Sequence, residues 1–260
     1  MMAENKKLER RDFLKLAGGA GVIVSVMKAV PSALASKPKG SSPHRWAMVI
    51  AQNKCAGCGF CTLACRAHND IHPDISWNRV ASCGTVNGEM VYLARPCMQC
   101  EEAPCVDVCP VKASYYRPDG IVMMDYDRCI GCRYCEVACP YNARAFNWET
   151  FDGENPAVPT WGNPEVERRP RGVVEKCSFC YQRIDRGLAQ GLTPGVDPDA
   201  TPACVVGCPV GCRTFGDLND PESEVSKLLS EHVTHRLRED LGTGPRVYYI
   251  CPTGTKEVLS

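Results

Sequence analysis

The cysteines of this chain constrain its fold more strongly than any other feature. The chain has 260 residues and 19 cysteines, and sixteen of these cysteines fall into four closely spaced groups. The first two groups are Cys55, Cys58, Cys61 and Cys65, and then Cys97, Cys100, Cys105 and Cys109. The third is Cys129, Cys132, Cys135 and Cys139, and the fourth is split into Cys177 and Cys180, followed further along the chain by Cys204 and Cys208. So regular a spacing predicts a fold built around metal–thiolate or disulfide bonds.

The third group has the spacing Cys-x2-Cys-x2-Cys-x3-Cys-Pro, which is that of bacterial ferredoxins. The first group lacks only the proline and has Arg66 in its place. The two-residue gaps turn three successive thiolates toward one cubane, whereas the fourth thiolate lies past the turn and ligates a neighbouring cluster. Sixteen such cysteines therefore predict four [4Fe–4S] clusters, coupled in pairs through exchanged fourth ligands.

Two other uses of cysteine fit the pattern less well. A disulfide framework would account for the number of cysteines in an exported chain, but not for the repeated gaps. Zinc sites use paired Cys-x2-Cys units, but they do not require a third and a fourth cysteine followed by proline. The three remaining cysteines are interpreted as non-ligands, Cys212 as a small packing residue and Cys83 and Cys251 as free or structural thiols.

Internal repeats indicate which groups belong together. Residues 48–55 resemble residues 122–129, a short apolar strand that leads into the first and the third group. Residues 139–146 resemble residues 208–215, which follow the third and the fourth group. Groups two and three, with a predicted hairpin around residues 117–120 between them, thus form one complete unit, which is inserted into a second unit made by groups one and four. Consecutive pairing, of one with two and of three with four, remains the alternative.

Short strands and short helices alternate along the chain, which predicts an α+β fold dominated by loops around metal. We expect two ferredoxin-like lobes, each binding two [4Fe–4S] clusters, with one lobe inserted within the other. The first lobe comprises residues 45–95 and 174–217, and the second comprises residues 96–147. Residues 148–173 form an inter-lobe loop, interpreted as a docking surface, and residues 218–260 form a C-terminal helix and strand.

The C-terminal helix is predicted from its cap and its apolar period. Asp220 is the expected N-cap, with Pro221 at the first helical position and Gly242 after the end. Apolar residues recur at helical spacing between them, at Val225, Leu228, Leu229, Val233, Leu237 and Leu241. A closing strand is predicted over residues 246–250.

Residues 1–35 have the pattern of a twin-arginine (Tat) export signal. Arg10 and Arg11 precede a weakly apolar stretch, and residues 33–35 provide a small-x-small cleavage site. This pathway carries folded proteins, which suits a chain whose clusters are inserted before export. A retained signal anchor is the alternative, but the stretch contains Lys28 and is shorter than a membrane span. We expect a periplasmic or extracytoplasmic location with no membrane span after cleavage.

Charge and composition exclude several functions. The chain has 30 basic and 30 acidic side chains, which argues against nucleic acid as a partner. The sequence offers no nucleophile with its base, no phosphate-binding loop and no paired carboxylates, so we predict no catalytic residues and no enzyme activity of its own. Lys54, Arg128 and Lys176 each precede the first cysteine of a group, where a cation would raise a cluster potential unless it is solvated.

The cysteine groups and their flanking sequences resemble one family closely. The segments that carry the resemblance are Cys129–Tyr141, Cys100–Cys105 and Phe215–Pro221, and the match spans about residues 45–250. The family is the four-cluster iron–sulfur subunit of molybdopterin oxidoreductase complexes. It includes the electron-transfer subunits of dimethyl sulfoxide, tetrathionate and polysulfide reductases and the NrfC-like proteins.

The resemblance implies four ligand sets. The Cys55 set is Cys55, Cys58, Cys61 and Cys208, and the Cys65 set is Cys65, Cys177, Cys180 and Cys204. The Cys97 set is Cys97, Cys100, Cys105 and Cys139, and the Cys129 set is Cys129, Cys132, Cys135 and Cys109.

The resemblance also implies a function and two partners. Family members relay electrons between a molybdopterin-type catalytic subunit and a quinone-reactive integral membrane subunit of the NrfD/PsrC-like type. We therefore expect this chain to be such an electron-transfer subunit of a respiratory oxidoreductase complex. The alternative is a free periplasmic carrier of the polyferredoxin type.

Overall fold

The computed structural model describes residues 40–86 and 88–251 of the chain. The predicted export signal at residues 1–35 lies outside the described residues. Within them, short helices and small sheets are linked by long irregular segments, which agrees with the α+β class. None of the helices in the described ranges is long and apolar enough to span a membrane.

The strands are short, and most lie directly before or after a cysteine group. In chain order they are β1 (Trp46–Ala51), β2 (Arg79–Val86), β3 (Glu89–Arg95), β4 (Ser114–Tyr116), β5 (Val122–Met124), β6 (Arg144–Phe146), β7 (Val174–Lys176), β8 (Arg213–Asp217), β9 (Thr234–His235) and β10 (Val247–Ile250). They form one sheet in the order β8-β1-β10-β9 and three two-stranded sheets, β2-β3, β4-β5 and β6-β7.

The helices are equally short, and several contain cysteines. They are α1 (Phe60–His68), α2 (Pro104–Asp107), α3 (Tyr134–Val137), α4 (Tyr181–Ala189), α5 (Ala203–Val206) and α6 (Glu224–Glu231). Three 3-10 turns lie at Gln52–Lys54, Pro198–Ala200 and Glu239–Leu241.

The first strand is the centre of the largest sheet. β1 pairs parallel with β10 and antiparallel with β8, and every one of its residues is buried. Met48 and Ile50 face the main core, whereas Ala47 and Val49 pack with Val225 of α6. A strand covered on both faces requires an uninterrupted apolar run, which residues 46–51 provide.

The predicted hairpin between groups two and three is confirmed. β4 and β5 pair antiparallel, with Ser114 opposite Met124. The turn is closed by hydrogen bonds from the Gly120 amide to the Arg117 carbonyl and from the Arg117 amide to the Ile121 carbonyl. Gly120 has a φ of 76°, a conformation that glycine adopts without strain. The hairpin leads β5 directly into the third cysteine group.

One sheet joins the strand that follows group three to the strand that precedes group four. β6 and β7 pair antiparallel, and Arg144 lies directly opposite Lys176. The side chains of directly opposite residues project from the same face of a sheet. Both side chains are buried, so this small sheet carries two neighbouring cations into the interior.

The helices pack in two pairs. Helix α1, which carries the end of group one, packs against α5, which carries part of group four. A Cβ at Gly207 would lie 2.8 Å from Ala64 Cβ, so the two segments approach as closely as only glycine permits. Helix α2 packs against α3 in the same way, which brings group two to group three. All described residues fall within one compact unit, and a division into two lobes stays a prediction.

The segment at residues 148–173 is anchored along α1 and the residues that follow it. The Arg168 guanidinium donates to the Asp70 carboxylate at 3.0 Å, and Asn155 Nδ2 donates to the same carboxylate at 3.0 Å. The Arg169 guanidinium donates to the backbone carbonyls of Asn69 and Asp70. One side of the segment is therefore occupied within the chain, and its use as a docking surface stays a prediction.

The predicted C-terminal helix is wrong in both its start and its length. The helix spans Glu224–Glu231, and its N-cap is Ser223, whose hydroxyl accepts from the Ser226 amide at 3.2 Å. Asp220 instead closes a turn by accepting from the Glu222 amide. After Glu231 the chain becomes extended, and Thr234–His235 pairs with β10, so edge pairing in a β-branched stretch prevails over the apolar period. Val233 is consequently 65 % exposed. The predicted closing strand is confirmed as Val247–Ile250.

Candidate metal centres

None of the nineteen cysteines, all of which lie within the described residues, forms a disulfide. Ten of the sixteen grouped cysteines are buried: Cys61, Cys65, Cys97, Cys100, Cys105, Cys109, Cys135, Cys177, Cys180 and Cys204. Thiols that are so densely placed in an interior, without disulfides, are suited to binding a metal centre.

The Cys65 set is brought together from groups one and four. Asn69 Nδ2 lies 3.8 Å from Cys65 Sγ and 3.6 Å from Cys180 Sγ, so one amide contacts both groups. Burial raises the pKa of the Cys65 thiol well above its usual range, and the neighbouring Cys180, Cys177 and Cys204 raise it further. All four thiols are buried.

The Cys97 set is brought together from groups two and three. Burial raises the pKa of the Cys100 thiol to about 12, with further upward contributions from Cys97, Cys105 and Cys139. Of the four thiols, only Cys139 is partly exposed.

The other two sets lie nearer the surface. The Cys55 set includes the exposed Cys58, and the Cys129 set includes the exposed Cys132. In the Cys129 set, burial raises the pKa of Cys135, and Cys105 and Cys129 are among the neighbours that raise it. These two sets are the ones that reach solvent.

Neighbouring sets are adjacent through single pairs of cysteines. Each pair is identified because one thiol raises the pKa of the other, although burial is the larger cause in every case: Cys61 acts on Cys204, Cys97 on Cys177, and Cys105 on Cys135. The order that results is the Cys55 set, the Cys65 set, the Cys97 set and the Cys129 set. The two buried sets occupy the middle, and the two sets with an exposed cysteine occupy the ends.

The spacing of these sulfurs does not suit a single metal ion. Four thiolates around one zinc ion lie about 4 Å from one another. Within residues 40–86 and 88–251, no group of three or more His, Cys, Asp or Glu side chains is arranged to hold one ion. A cubane separates its thiolates more widely, so gathered but separated thiols fit a cluster.

Backbone amides point at several of the sulfurs. Ser114 N lies 3.4 Å from Cys109 Sγ, Phe179 N lies 3.4 Å from Cys177 Sγ, and Cys212 N lies 3.4 Å from Cys208 Sγ. Such N–H donors stabilise negative charge on sulfur and are among the factors that tune an iron–sulfur centre.

Three buried cations lie among the thiols. Arg144, Lys176 and Arg213 are 2 %, 1 % and 3 % exposed. No acidic side chain of the described residues forms an ion pair with any of them. An isolated charge is costly to bury, and two like charges directly opposite in a sheet add to the cost. The residues therefore fit a strongly anionic thiolate-bound cluster, which would offset these charges.

Sequence reasoning located Lys176 but missed the two arginines. Lys54 is exposed, and Arg128 is exposed and paired with Asp125 at 3.2 Å, so both are solvated. Burial lowers the pKa of the Lys176 ammonium, and Arg144 lowers it as well. Arg144 and Arg213 occupy equivalent places in the internal repeat, and this was the signal that would have found them.

The three ungrouped cysteines lie in different surroundings. Cys83 is exposed in the β2–β3 hairpin, and Cys251 Sγ lies 3.2 Å from His235 Nδ1. Cys212 is buried with its sulfur 3.4 Å from Cys208 Sγ. The Cys212 thiol lowers the pKa of Cys208, whereas Cys208 raises the pKa of Cys212. Cys208 is thus the thiolate of the pair, and Cys212 keeps its proton and donates it.

Comparison with known proteins identifies the family. Residues 88–155 match the family model described as a 4Fe-4S dicluster domain. The chain is 44% identical to the menaquinone reductase iron–sulfur cluster-binding subunit of Nitratidesulfovibrio vulgaris, over 79% of this chain and 88% of the relative. It is 39% identical to a subunit of the selenate reductase of Mesobacillus selenatarsenatis, over 92% and 82% of the two chains. It is 36% identical to the iron–sulfur subunit of the arsenate respiratory reductase of a Shewanella species, over 82% and 98%.

These relatives are iron–sulfur subunits of reductases, which transfer electrons rather than act on the substrate. The chain belongs to this family of iron–sulfur subunits of reductase complexes. It is therefore an iron–sulfur electron-transfer subunit and not a catalytic one. The resemblance inferred from the cysteine groups is confirmed.

The Cys208–Cys212 contact yields a test of which sulfur is a ligand. We expect Cys208→Ala to lower the iron content of the purified chain by up to about a quarter, because one of its cluster sites loses a ligand. Cys212→Ala should leave the iron content unchanged, because Cys212 only donates to that ligand. Iron per chain, with electron paramagnetic resonance (EPR) spectra of the reduced protein, measures both, and Cys83→Ala is the control. Equal iron loss in the first two variants would make Cys212 a ligand.

Proposed function

We propose that this chain relays electrons through four [4Fe–4S] clusters, one in each ligand set. The observation that carries the proposal is the serial order of the sets, with buried sets in the middle and exposed cysteines at both ends. A cluster of this type accepts and releases one electron at a time without making or breaking bonds in a substrate. The chain holds the clusters, separates them from water and keeps neighbouring sets adjacent.

The proposed ligands are the sixteen grouped cysteines in the sets defined above. Asn69 supports the Cys65 set, because it contacts sulfurs from both of the groups that contribute to it. The packing of α1 on α5 and of α2 on α3 supports pairing of group one with four and of group two with three. We accordingly propose two ferredoxin-like lobes, with the lobe of groups two and three inserted into the other.

The two lobes meet at one small polar network. Gln99 Nε2 donates to the Cys177 carbonyl at 2.7 Å, and Gln99 Oε1 accepts from the Val122 amide at 2.8 Å. Lys176 Nζ donates to the carbonyls of Val122 and Cys177. These bonds fix the start of group four against the middle of group two, where the Cys65 and Cys97 sets meet. Electron transfer between the lobes would cross here.

The two ends of the series are the proposed contact sites for partner subunits. Around the exposed Cys132 lie four exposed apolar side chains, Ile130, Tyr134, Val137 and Trp148. Val137 is 86 % exposed, and the Arg133 guanidinium stacks 4.6 Å above the Trp148 ring. An exposed apolar patch of this kind marks an interaction surface. The Cys55 set presents a second, smaller patch of Phe60, Val206 and Val210.

The proposed partners are a molybdopterin-type catalytic subunit and a quinone-reactive integral membrane subunit. The names of the relatives support both, since they belong to selenate and arsenate reductases and to a menaquinone reductase. We also propose export by the Tat pathway to the outer face of the membrane, on the basis of Arg10 and Arg11.

Chemical analysis tests the number of clusters. We expect about sixteen iron atoms and about sixteen acid-labile sulfides per chain in material purified without oxygen, because each of the four ligand sets holds one cubane. EPR spectra of the reduced protein should show magnetically interacting clusters. About eight iron atoms would leave only two of the four sets loaded, and zinc in place of iron would remove the proposal.

Purification from the native source tests the partners. We expect the chain to be isolated with a molybdenum-containing subunit and a membrane subunit. Replacing Val137 and Tyr134 with glutamate should release one partner, because it places charge in the apolar patch. Val196→Glu is the matched control, since Val196 is 75 % exposed in a loop away from the cysteine groups. Isolation of the wild-type chain as a lone monomer would favour the free periplasmic carrier.

Fractionation of cells tests the export. We expect the double substitution Arg10→Lys and Arg11→Lys to retain the chain in the cytoplasm with its iron still bound, because the paired arginines are what the Tat pathway recognises. Lys6→Arg and Lys7→Arg in the same segment serve as the control. Unchanged export of the first variant would contradict the proposed route.

A further inference from the structure

Two buried arginines occupy equivalent positions in the two proposed lobes. Arg144 follows the last cysteine of group three, Cys139, and Arg213 follows the last cysteine of group four, Cys208, at the same interval. Each is the first residue of a strand, β6 and β8 respectively. The internal repeat thus carries a cation as well as cysteines.

Arg144 lies between the two sets of its lobe. Its Nη2 is 3.1 Å from Cys105 Sγ and 2.5 Å from Ser114 Oγ, and its Nη1 is 3.5 Å from Met124 Sδ. Cys105 belongs to the Cys97 set. Arg144 also lowers the pKa of Cys135, which belongs to the Cys129 set and whose pKa burial raises. The guanidinium therefore acts on both sets.

Arg213 repeats this arrangement in the other lobe. Its Nη1 is 3.7 Å from Cys204 Sγ and 3.6 Å from Met48 Sδ, and its Nη2 is 2.8 Å from Asn78 Oδ1. Burial lowers the pKa of Arg213, but Cys204, Cys61 and Cys212 outweigh burial and raise it. Cys204 belongs to the Cys65 set and Cys61 to the Cys55 set. This guanidinium also lies between two sets.

The partners of both arginines are uncharged except for the sulfurs of cysteine. Each arginine contacts one cysteine sulfur, one methionine sulfur and one neutral oxygen, from Ser114 or Asn78. In both, the Nε group is buried and has no hydrogen-bond partner among the described residues. A guanidinium stays charged at any pH that a folded protein tolerates, so its charge must be offset by the thiolate ligands and what they bind.

We propose that Arg144 and Arg213 set the reduction potentials of the clusters, each raising the potentials of the two clusters of its own lobe. The proposal rests on the proposed function, which supplies the clusters and the electrons. Reduction by a partner subunit adds one electron to a cluster, with no proton and no bond change in the protein. The fixed positive charge stabilises the added negative charge, and its place between two sets extends the effect to both.

The two arginines act at a distance and are not ligands. Each is a positioning residue whose charge keeps the two potentials of a lobe close enough for electrons to pass in either direction. Because the two arginines lie in different lobes, each serves as the control for the other.

The test is a redox titration of the full, cluster-loaded chain, followed by EPR spectroscopy. In Arg144→Gln we expect the ratio of reduced to oxidised cluster, at fixed solution potential, to fall at least tenfold for two of the four signals. A tenfold change corresponds to a 59 mV shift for a one-electron couple. Arg213→Gln should lower the other two signals. Arg144→Lys and Arg213→Lys should retain the wild-type potentials, because they retain the charge.

Arg169→Gln is the matched control for burial. Arg169 is 6 % exposed, but its charge is already paired with Glu175 at 3.4 Å. This variant should be less stable and yet keep all four potentials. If glutamine at Arg144 or Arg213 prevents loading, the lysine variants decide: full loading with unchanged potentials supports the charge role, and loss in both lysine and glutamine variants overturns it.

The remaining outcomes separate this inference from the proposed function. Unshifted potentials in loaded glutamine variants would overturn the inference and leave the proposed function intact. An equal shift of all four signals in either variant would also overturn it, because the effect would not follow the lobes. A wild-type chain without four clusters would instead overturn the proposed function.

Discussion

Buried sulfur beside buried positive charge is the interaction on which this structure depends. Helices of four residues and strands of three cannot hold a fold of this size together by their own packing. The space that an ordinary domain fills with apolar side chains is here lined by cysteines, with Arg144, Lys176 and Arg213 among them. In such a chain the free energy of metal binding is largely the free energy of folding, so the secondary structure serves to position sulfur.

Segments that are remote in the sequence are joined by few but well-placed contacts. Asn69 contacts sulfurs from groups one and four, and Gln99 contacts the backbone on both sides of the junction between groups two and four. The pairing of β6 with β7 ties the end of group three to the start of group four. Each contact uses a polar side chain or a backbone bond, because directional bonds can fix a loop that has little apolar surface to bury.

Some of this could be predicted because it depends on local chemistry. The hairpin around Gly120 follows from turn residues between two apolar runs, and the strands before groups one and three follow from short apolar segments. The C-terminal helix could not be predicted from its apolar period, because residues 234–235 pair with β10, a strand that the local pattern does not reveal. The burial of Lys176 was equally hidden. Its sequence context is the same as that of Lys54 and Arg128, and only the pairing of β7 places it in the interior.

The sequence by itself determined the cofactor chemistry and the family, because cysteine spacing is a covalent property of the chain and a cubane accepts few spacings. It also contained the repeat that places an arginine after groups three and four. Only the tertiary structure decided which sulfurs lie next to one another, which sets reach solvent and which cations are buried without a carboxylate. Those properties arise from contacts between segments far apart in the chain, and no local pattern encodes the distance between them.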